Sequence, residues 1–141
     1  MIERGDSNPA SLTASAADAK VRAHAADLHT ILRNLLHNAL THSPTDTKVD
    51  VFVQHGAGGS VLMGVADQGP GIASAQRARV FDPFYRIPGS GESGSGLGLA
   101  IVKSLVDQLG ATIMLEDADT NAPHPGLLVV VSFPKSQNGP F

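Results

Sequence analysis

The chain has 141 residues, of which 42% are hydrophobic and 16% charged, and this length suffices for one domain with a single hydrophobic core. Its net charge of −3, without any run of Lys or Arg, argues against nucleic acid or an anionic membrane surface as a partner. The absence of cysteine excludes disulfides and a cysteine-based zinc site, and with short apolar runs and no signal-peptide pattern we expect a soluble domain.

The N-terminal part of the chain predicts one long helix behind a polar segment. Residues 3–19 are rich in Ser, Ala, Asp and Pro and predict a loop, preceded by a short edge strand at Ile2, while residues 20–24 favour a brief strand. Apolar residues then recur with helical spacing, namely Leu28, Ile31, Leu32, Leu35, Leu36, Ala39 and Leu40. We expect Asp27 to cap this amphipathic helix and Pro44 to end it at the preceding residue.

The middle of the chain predicts a β-hairpin followed by irregular structure. Valines alternate with polar residues over residues 49–53, residues 55–60 form a turn, and residues 61–67 form the second strand. The glycines of residues 68–73 break regular structure. A short helix is expected from Ser74 to Val80, capped by that serine.

The last third predicts a mobile segment, a helix and two strands. Residues 87–96 are rich in Gly and Ser and are expected to be mobile, and an apolar helix follows over residues 97–109. Strands are expected over residues 112–116 and 127–133, joined by a polar turn. The predicted fold class is α/β (α+β), a two-layer sandwich in which a mixed, mostly antiparallel sheet of about five strands packs on three helices.

Polar residues follow one strip of the first helix. Asn34 and Asn38 are four residues apart and Thr41 follows three residues later, so all three flank the apolar face. Two neutral amides in this arrangement can bind Mg²⁺ through a carbonyl oxygen and donate to phosphate oxygens. A solvated helix face would explain the same pattern.

The second hairpin strand ends at a carboxylate, Asp67, on the face of the strand that is expected to be buried. Asp67 has the parity of Val61 and Val65, and an ionised carboxylate on that face needs a donor. The exocyclic amine of adenine would serve, whereas the carbonyl oxygen of guanine would be repelled. The alternative is an aspartate that caps the following turn. Gly69 and Gly71 would let the chain turn tightly beside a planar base, with Ile72 packing on it.

Aromatic residues and glycines flank the expected mobile segment. Phe81, Phe84 and Tyr85 precede it beside Arg86, either to anchor a loop or to hinge a lid with the arginine near phosphate oxygens. Behind it, the stretch GSGLG of residues 94–98 leads directly into the helix. Glycine-rich backbone at a helix N-terminus is typical of a phosphate cradle, although it also occurs in plain connections.

Four stretches in order resemble the boxes of a known family. LRNLLHNALTHSP (32–44), DQGPGI (67–72), FDPFYR (81–86) and GSGLGLAIVK (94–103) resemble the N, G1, F and G2 boxes of bacterial sensor histidine kinases. The ATP-binding domain of these kinases shares the Bergerat fold with gyrase, MutL and Hsp90. The resemblance covers about residues 20–133, so we expect a polar segment over 1–19, the ATP-binding kinase domain over 20–133 and a tail over 134–141.

The resemblance implies a role for each matching residue. Asn38 resembles the Mg²⁺ ligand, Asn34 a phosphate-side contact and Asp67 the adenine-binding carboxylate, while residues 87–95 resemble the ATP lid. The implied ATP-binding set comprises Asn34, Asn38, Thr41, His42, Asp67, Gly69, Gly71, Ile72, Phe84, Arg86, Gly94, Ser95, Gly96, Leu97, Gly98 and Leu99. The cofactors implied are ATP and Mg²⁺.

Two positions refine what the resemblance implies. The family usually has Lys or Arg where this chain has Thr41, so one charged hydrogen bond to the phosphates is lost unless Arg86 or His42 compensates, at a cost of about 1.5–3 kcal/mol. In the gyrase, MutL and Hsp90 ATPases a Glu acts as general base at the position of Asn34. An amide cannot accept the proton of water, so the resemblance favours phosphoryl transfer over hydrolysis.

None of the six histidines is followed by an acidic residue, as the phosphoaccepting histidine of these kinases is. The expected partners are therefore a separate phosphoacceptor helical hairpin and a downstream response regulator, in a cytoplasmic-facing two-component phosphorelay. One alternative is a Bergerat-type serine kinase acting on an anti-sigma partner. Another is a non-catalytic nucleotide-binding or partner-binding module.

Overall fold

In a computed structural model of the chain, residues 10–14, 21, 23–85 and 97–135 are described. They form a five-stranded sheet covered on one face by two α-helices. The elements in chain order are β1 (Ala10–Ala14), α1 (Ala25–His42), β2 (Val49–His55), β3 (Val61–Ala66), α2 (Gly98–Gln108), β4 (Thr112–Asp117) and β5 (Leu127–Phe133).

The sheet is mixed and mostly antiparallel. Its strand order is β1-β2-β3-β5-β4, with β1 parallel to β2 and every other neighbouring pair antiparallel. The predicted hairpin is confirmed, because Val51 pairs with Val65 across β2 and β3. The predicted fold class, an α+β two-layer sandwich with about five strands, is therefore confirmed.

The core lies between the helices and one face of the sheet. Its fully buried side chains are Ile31, Leu35, Val49, Val65, Val102, Val106 and Val131. The apolar face predicted for α1 points into this layer, where α1 also packs against α2. Burying each of these aliphatic side chains contributes about 1.5–3 kcal/mol, so the layer fixes the two helices relative to the ends of β3 and β5.

Several local expectations are wrong in detail. The segment expected to be a loop contains β1, and Val21 and His24 are not in a strand. The edge strand expected at Ile2 lies outside the described residues. The N-cap position of α1 is His24, whose side chain makes no capping hydrogen bond, and Asp27 lies in the first helical turn instead. The helix ends with Ser43 as its C-cap, as expected.

The third expected helix is not continuous. Two short 3₁₀ turns, Ser74–Gln76 and Arg79–Phe81, replace it, and Ser74 makes no capping hydrogen bond because the N-cap is Ala73. Residues 87–96, which carry the expected lid, lie outside the described residues.

Candidate functional site

Asp67 is a buried carboxylate at the end of β3. Its side chain is 4% exposed, and it lies one residue beyond the strand with the core-facing parity expected for it. The backbone N–H groups of Gly69 and Leu127 both donate to Oδ1, at 2.9 and 3.0 Å. Within the described ranges no donor reaches Oδ2. One carboxylate oxygen is therefore held by the protein and the other is left to accept from a ligand.

Burial is the main influence on the acidity of this carboxyl. It raises the pKa of Asp67 above the ordinary value of 3.8, while the N–H groups of Gly69 and Leu127 and the nearby His42 act in the opposite direction. A raised pKa means that the ionised form lacks full compensation from the protein alone.

The loop after Asp67 is held between α1 and β5 by close backbone contacts. A Cβ at Gly69 would lie 2.5 Å from the carbonyl oxygen of His42, at the end of α1. Gly71 has φ +78°, and a Cβ there would lie 2.8 Å from the carbonyl oxygen of Gly126. Both glycines are therefore required by the path of the loop, as the sequence predicts for a tight turn.

Asn34, Asn38 and His42 form a polar strip along α1. At one end, Asn34 Oδ1 lies 3.5 Å from the position of a Cβ on Gly98, the first residue of α2, while its Nδ2 donates to the Thr30 carbonyl at 2.8 Å. At the other end, His42 contacts Gly69 and donates from Nδ1 to the Asn38 carbonyl at 2.7 Å. The strip thus spans about 12 Å, from the N-terminus of α2 to the Asp67 loop.

Other expected site residues are placed differently. Thr41 is exposed on α1. Ile72 and Leu99 are half-buried and pack against the core, while Leu97 and Gly98 begin α2. Arg86, Gly94, Ser95 and Gly96 lie outside the described residues.

The aromatic stretch is anchored through Tyr85, not through Phe84. The Tyr85 hydroxyl donates to Gln76 Oε1, and the Arg79 guanidinium lies over its ring, 4.6 Å from the centroid. Phe84 is 69% exposed and has φ +66°, a conformation uncommon for a bulky residue. The Phe84 ring is therefore largely exposed to solvent.

Comparison with known proteins decides the family. A model of the histidine kinase-, DNA gyrase B-, and HSP90-like ATPases matches residues 23–137. The chain belongs to this ATPase family. Among the relatives of the ATPase domain, the swarming motility regulation sensor protein RssA of Serratia marcescens is 34% identical over 106 residues, which is 75% of this chain and 22% of that protein.

Other matched relatives are named as histidine kinases. The signal transduction histidine-protein kinase/phosphatase MprB of Mycobacterium sp. (strain KMS) is 39% identical over 116 residues, covering 82% of this chain and 22% of that protein. A solved mycobacterial MprB structure superposes with a TM-score of 0.80 at 32% identity, covering 91% of this chain and 82% of the other.

A second solved structure, full-length ShkA in complex with AMPPNP, gives a TM-score of 0.76 at 28% identity over 90% of this chain and 25% of that one. The ATPase domain spans about a fifth of the length of the curated relatives it matches. No helix in its described part is both long and apolar enough to cross a membrane.

Arg77 is a structural residue of the site that sequence reasoning missed. Its Nε donates to the Ile72 carbonyl at 2.9 Å, and its guanidinium forms an ion pair with Asp117 Oδ1 at 2.8 Å and donates to the Leu115 carbonyl at 3.4 Å. The arginine thereby ties the Asp67 loop of the ATPase domain to β4. No local signal predicts this, because the partner carboxylate is 40 residues away along the chain.

Proposed function

We propose that the chain is the ATP-binding catalytic domain of a two-component sensor histidine kinase. It would hold Mg²⁺-ATP for transfer of the γ-phosphoryl group to a histidine on a separate helical phosphoacceptor domain. A response regulator would act downstream, and the domain would face the cytoplasm. The observation that carries the proposal is Asp67, buried with Oδ1 bonded and Oδ2 left to accept, at one end of a polar strip whose other end meets the N-terminus of α2.

Adenine recognition is assigned to the Asp67 end of the strip. An exocyclic amine donates to a carboxylate, so Oδ2 of Asp67 favours adenine, and a guanine carbonyl at the same place would be repelled. Ile72 supplies an apolar surface for the base, and its carbonyl is held by Arg77. The base pocket is therefore built from the end of β3 and the loop that follows.

The phosphates are assigned to the other end. The N–H groups in the first turn of a helix have no partner within that helix and favour an anion, so the start of α2 suits phosphate, and the glycines of residues 94–98 belong to this end by the resemblance. Asn34 is the side chain of α1 that lies beside Gly98, so its amide is the nearest polar group of that helix to this N-terminus. Arg86, Gly94, Ser95 and Gly96 belong to this assignment by the resemblance alone.

The chain's residues fit a magnesium ion that arrives with the nucleotide. The described residues contain no group of three or more His, Asp or Glu side chains that could hold a metal. Mg²⁺ is commonly bound by one or two protein oxygens together with phosphates and water, and Asn38, half-buried midway along the strip, offers such an oxygen. When bound, the ion would neutralise phosphate charge as the phosphoryl group is transferred in line.

Transfer between separate molecules tests the proposal. The chain is mixed with γ-labelled ATP, Mg²⁺ and the helical phosphoacceptor domain of its cognate kinase. Acid-labile phosphohistidine is expected on that domain, and Asn38→Ala is expected to abolish the Mg²⁺-dependent part of ATP binding by calorimetry. Label on a serine would favour the anti-sigma alternative. A chain that binds ATP without transferring label would favour the non-catalytic nucleotide-binding module, and one that binds no ATP would favour the partner-binding module, which Thr41 suggests by its lack of charge.

A further inference from the structure

The start of β5 is bonded directly to the back of Asp67 and its loop. The Asp67 N–H donates to the Leu127 carbonyl at 2.9 Å, and the Leu127 N–H donates back to Asp67 Oδ1 at 3.0 Å. The Gly126 N–H donates to the Gly69 carbonyl at 3.0 Å. The first of these bonds extends the antiparallel ladder of β3 and β5, but the second uses the side chain. β5 therefore sets which oxygen of the carboxylate is occupied.

Gly126 is the residue that lets this contact form. It is buried with φ +70°, and a Cβ there would lie 2.1 Å from the Asp67 carbonyl oxygen and 3.3 Å from Ala118 Cβ. Any larger residue would have to push the two backbones apart. Because Leu127 follows directly, such a displacement would pull its N–H away from Oδ1.

The loop after Asp67 also packs closely against Gly126. Gly71 approaches the Gly126 carbonyl so closely that its own Cβ would lie 2.8 Å from that oxygen. Movement of Gly126 would therefore reach the loop beside the base as well as the carboxylate. Asp67 and the loop after it, both assigned to the adenine pocket, are thus in close contact with Gly126. This glycine lies outside the four stretches that resemble kinase boxes.

We propose that Gly126 is a positioning residue for base selection. By allowing the Leu127 N–H to hold Oδ1, it fixes the Asp67 carboxylate with Oδ2 as the acceptor for the adenine amine. This inference rests on the proposed function, since it takes Asp67 as the adenine-binding carboxylate. A carboxylate freed from Leu127 could rotate, and its preference for a base amine over a base carbonyl would weaken.

The chain offers a matched control for Gly126→Ala. Gly110 also has φ +70°, and nothing lies within 4 Å of a Cβ built there. Gly126→Ala and Gly110→Ala thus introduce the same backbone strain, but only the first contacts Asp67. Binding of ATP and GTP is measured by calorimetry at a temperature where circular dichroism shows both variants folded. Gly126→Ala is expected to weaken ATP about tenfold or more, the size of one charged hydrogen bond, and to lower the ATP-to-GTP affinity ratio. Gly110→Ala is expected to keep the parent ratio.

A second measurement uses the unmodified chain and does not depend on whether Gly126→Ala folds. Amide protons bonded to a carboxylate shift when it titrates. The Gly69 and Leu127 amide resonances are therefore expected to move together with pH, and to lose this titration in Asp67→Asn. A Leu127 amide that does not follow Asp67 would overturn the inference.

The two proposals fail in distinguishable ways. If Asp67→Asn binds ATP as tightly as the parent chain, the proposed function is wrong whatever Gly126→Ala does. If Asp67→Asn weakens ATP while Gly126→Ala and Gly110→Ala have the same ATP-to-GTP ratio, only the positioning role is wrong.

Discussion

The burial of Asp67 disfavours its ionised form in the folded chain, and the proposed adenine amine would supply the donor that this form needs. Asp67 is 4% exposed, and the hydrogen bonds that its side chain accepts from the described residues go to Oδ1. An amide oxygen in place of Oδ1 could still accept from the Gly69 and Leu127 N–H groups. Replacing the buried charge by an amide therefore separates what the carboxylate does for stability from what it does for binding.

Asp67→Asn is expected to leave the free energy of unfolding at pH 7 unchanged or raised, because the buried charge is removed. ATP affinity is expected to fall by about 10- to 100-fold, as one charged hydrogen bond of 1.5–3 kcal/mol is lost. Urea unfolding and calorimetry measure the two quantities on the same sample. Strong destabilisation by this variant would contradict the account, since the carboxylate would then be a structural requirement.

The raised pKa of Asp67 gives the two quantities opposite pH dependences. The folded chain binds this proton more tightly than the unfolded chain, so the contribution to stability is complete below 3.8 and is lost as the pH rises through the folded pKa. Adenine binding needs the ionised carboxylate and is expected to weaken as the pH falls through the same raised pKa. ATP affinity measured against pH should therefore fall at a higher pH than an ordinary aspartate would give. In Asp67→Asn the pH dependence caused by this carboxyl should be absent. The pH dependence that remains in the variant then measures the effect of protonating the nucleotide.

Periodic sequence patterns predict those helices and strands that are specified by their own residues. α1 was predicted by its apolar spacing, and β5 was predicted over the residues it occupies, because helix and strand periods are read locally. β1 is not predicted from the sequence although ASLTA alternates apolar and polar residues, because it is only five residues long and contains one large apolar side chain; its strand character depends on pairing with β2 far along the chain. Packing between distant segments is what local patterns cannot show.

The same division holds for the candidate site. The buried parity of Asp67 was predicted, because alternation along β3 is local. Its bond from the Leu127 N–H could not be, since that residue is 60 positions away and contributes only backbone. The ion pair of Arg77 and the approach of Gly126 are likewise products of the tertiary fold. Local patterns therefore predict side chains that a ligand could contact, and they leave out the residues that support those side chains.

In the hairpin of β2 and β3, Gly64 packs closely against the ring of Phe52 on the sheet face away from the helices. A Cβ on Gly64 would lie 2.1 Å from the ring of Phe52, its partner across the strands. Gly64→Ala is expected to cost about 1–3 kcal/mol of unfolding free energy by urea titration, because the ring must move. In a Phe52→Ala background the same substitution is expected to cost less, by about 1 kcal/mol or more. Equal costs in both backgrounds would show that the ring is not the obstacle.

At the scale of the whole molecule, the two ends of the proposed site are held apart by α1. Asn34 lies beside the start of α2 and His42 beside Gly69, so the spacing between the base end and the phosphate end is set by one rigid helix. The helix is in turn fixed by core residues such as Ile31 and Leu35, which are fully buried. The site needs no second domain to define this spacing, but the proposed transfer needs an acceptor from outside the chain.

The chain alone is accordingly expected to hold ATP without consuming it. At the position where a glutamate would act on water in the gyrase and Hsp90 branches stands Asn34, whose amide donates to the Thr30 carbonyl and cannot take a proton. Phosphate release from ATP should therefore stay at the uncatalysed background, and Asn34→Ala should leave it there. Label from γ-labelled ATP should not accumulate on the chain itself. A rate above background that falls in Asn34→Ala would contradict this and would place the chain with the hydrolysing members of its family.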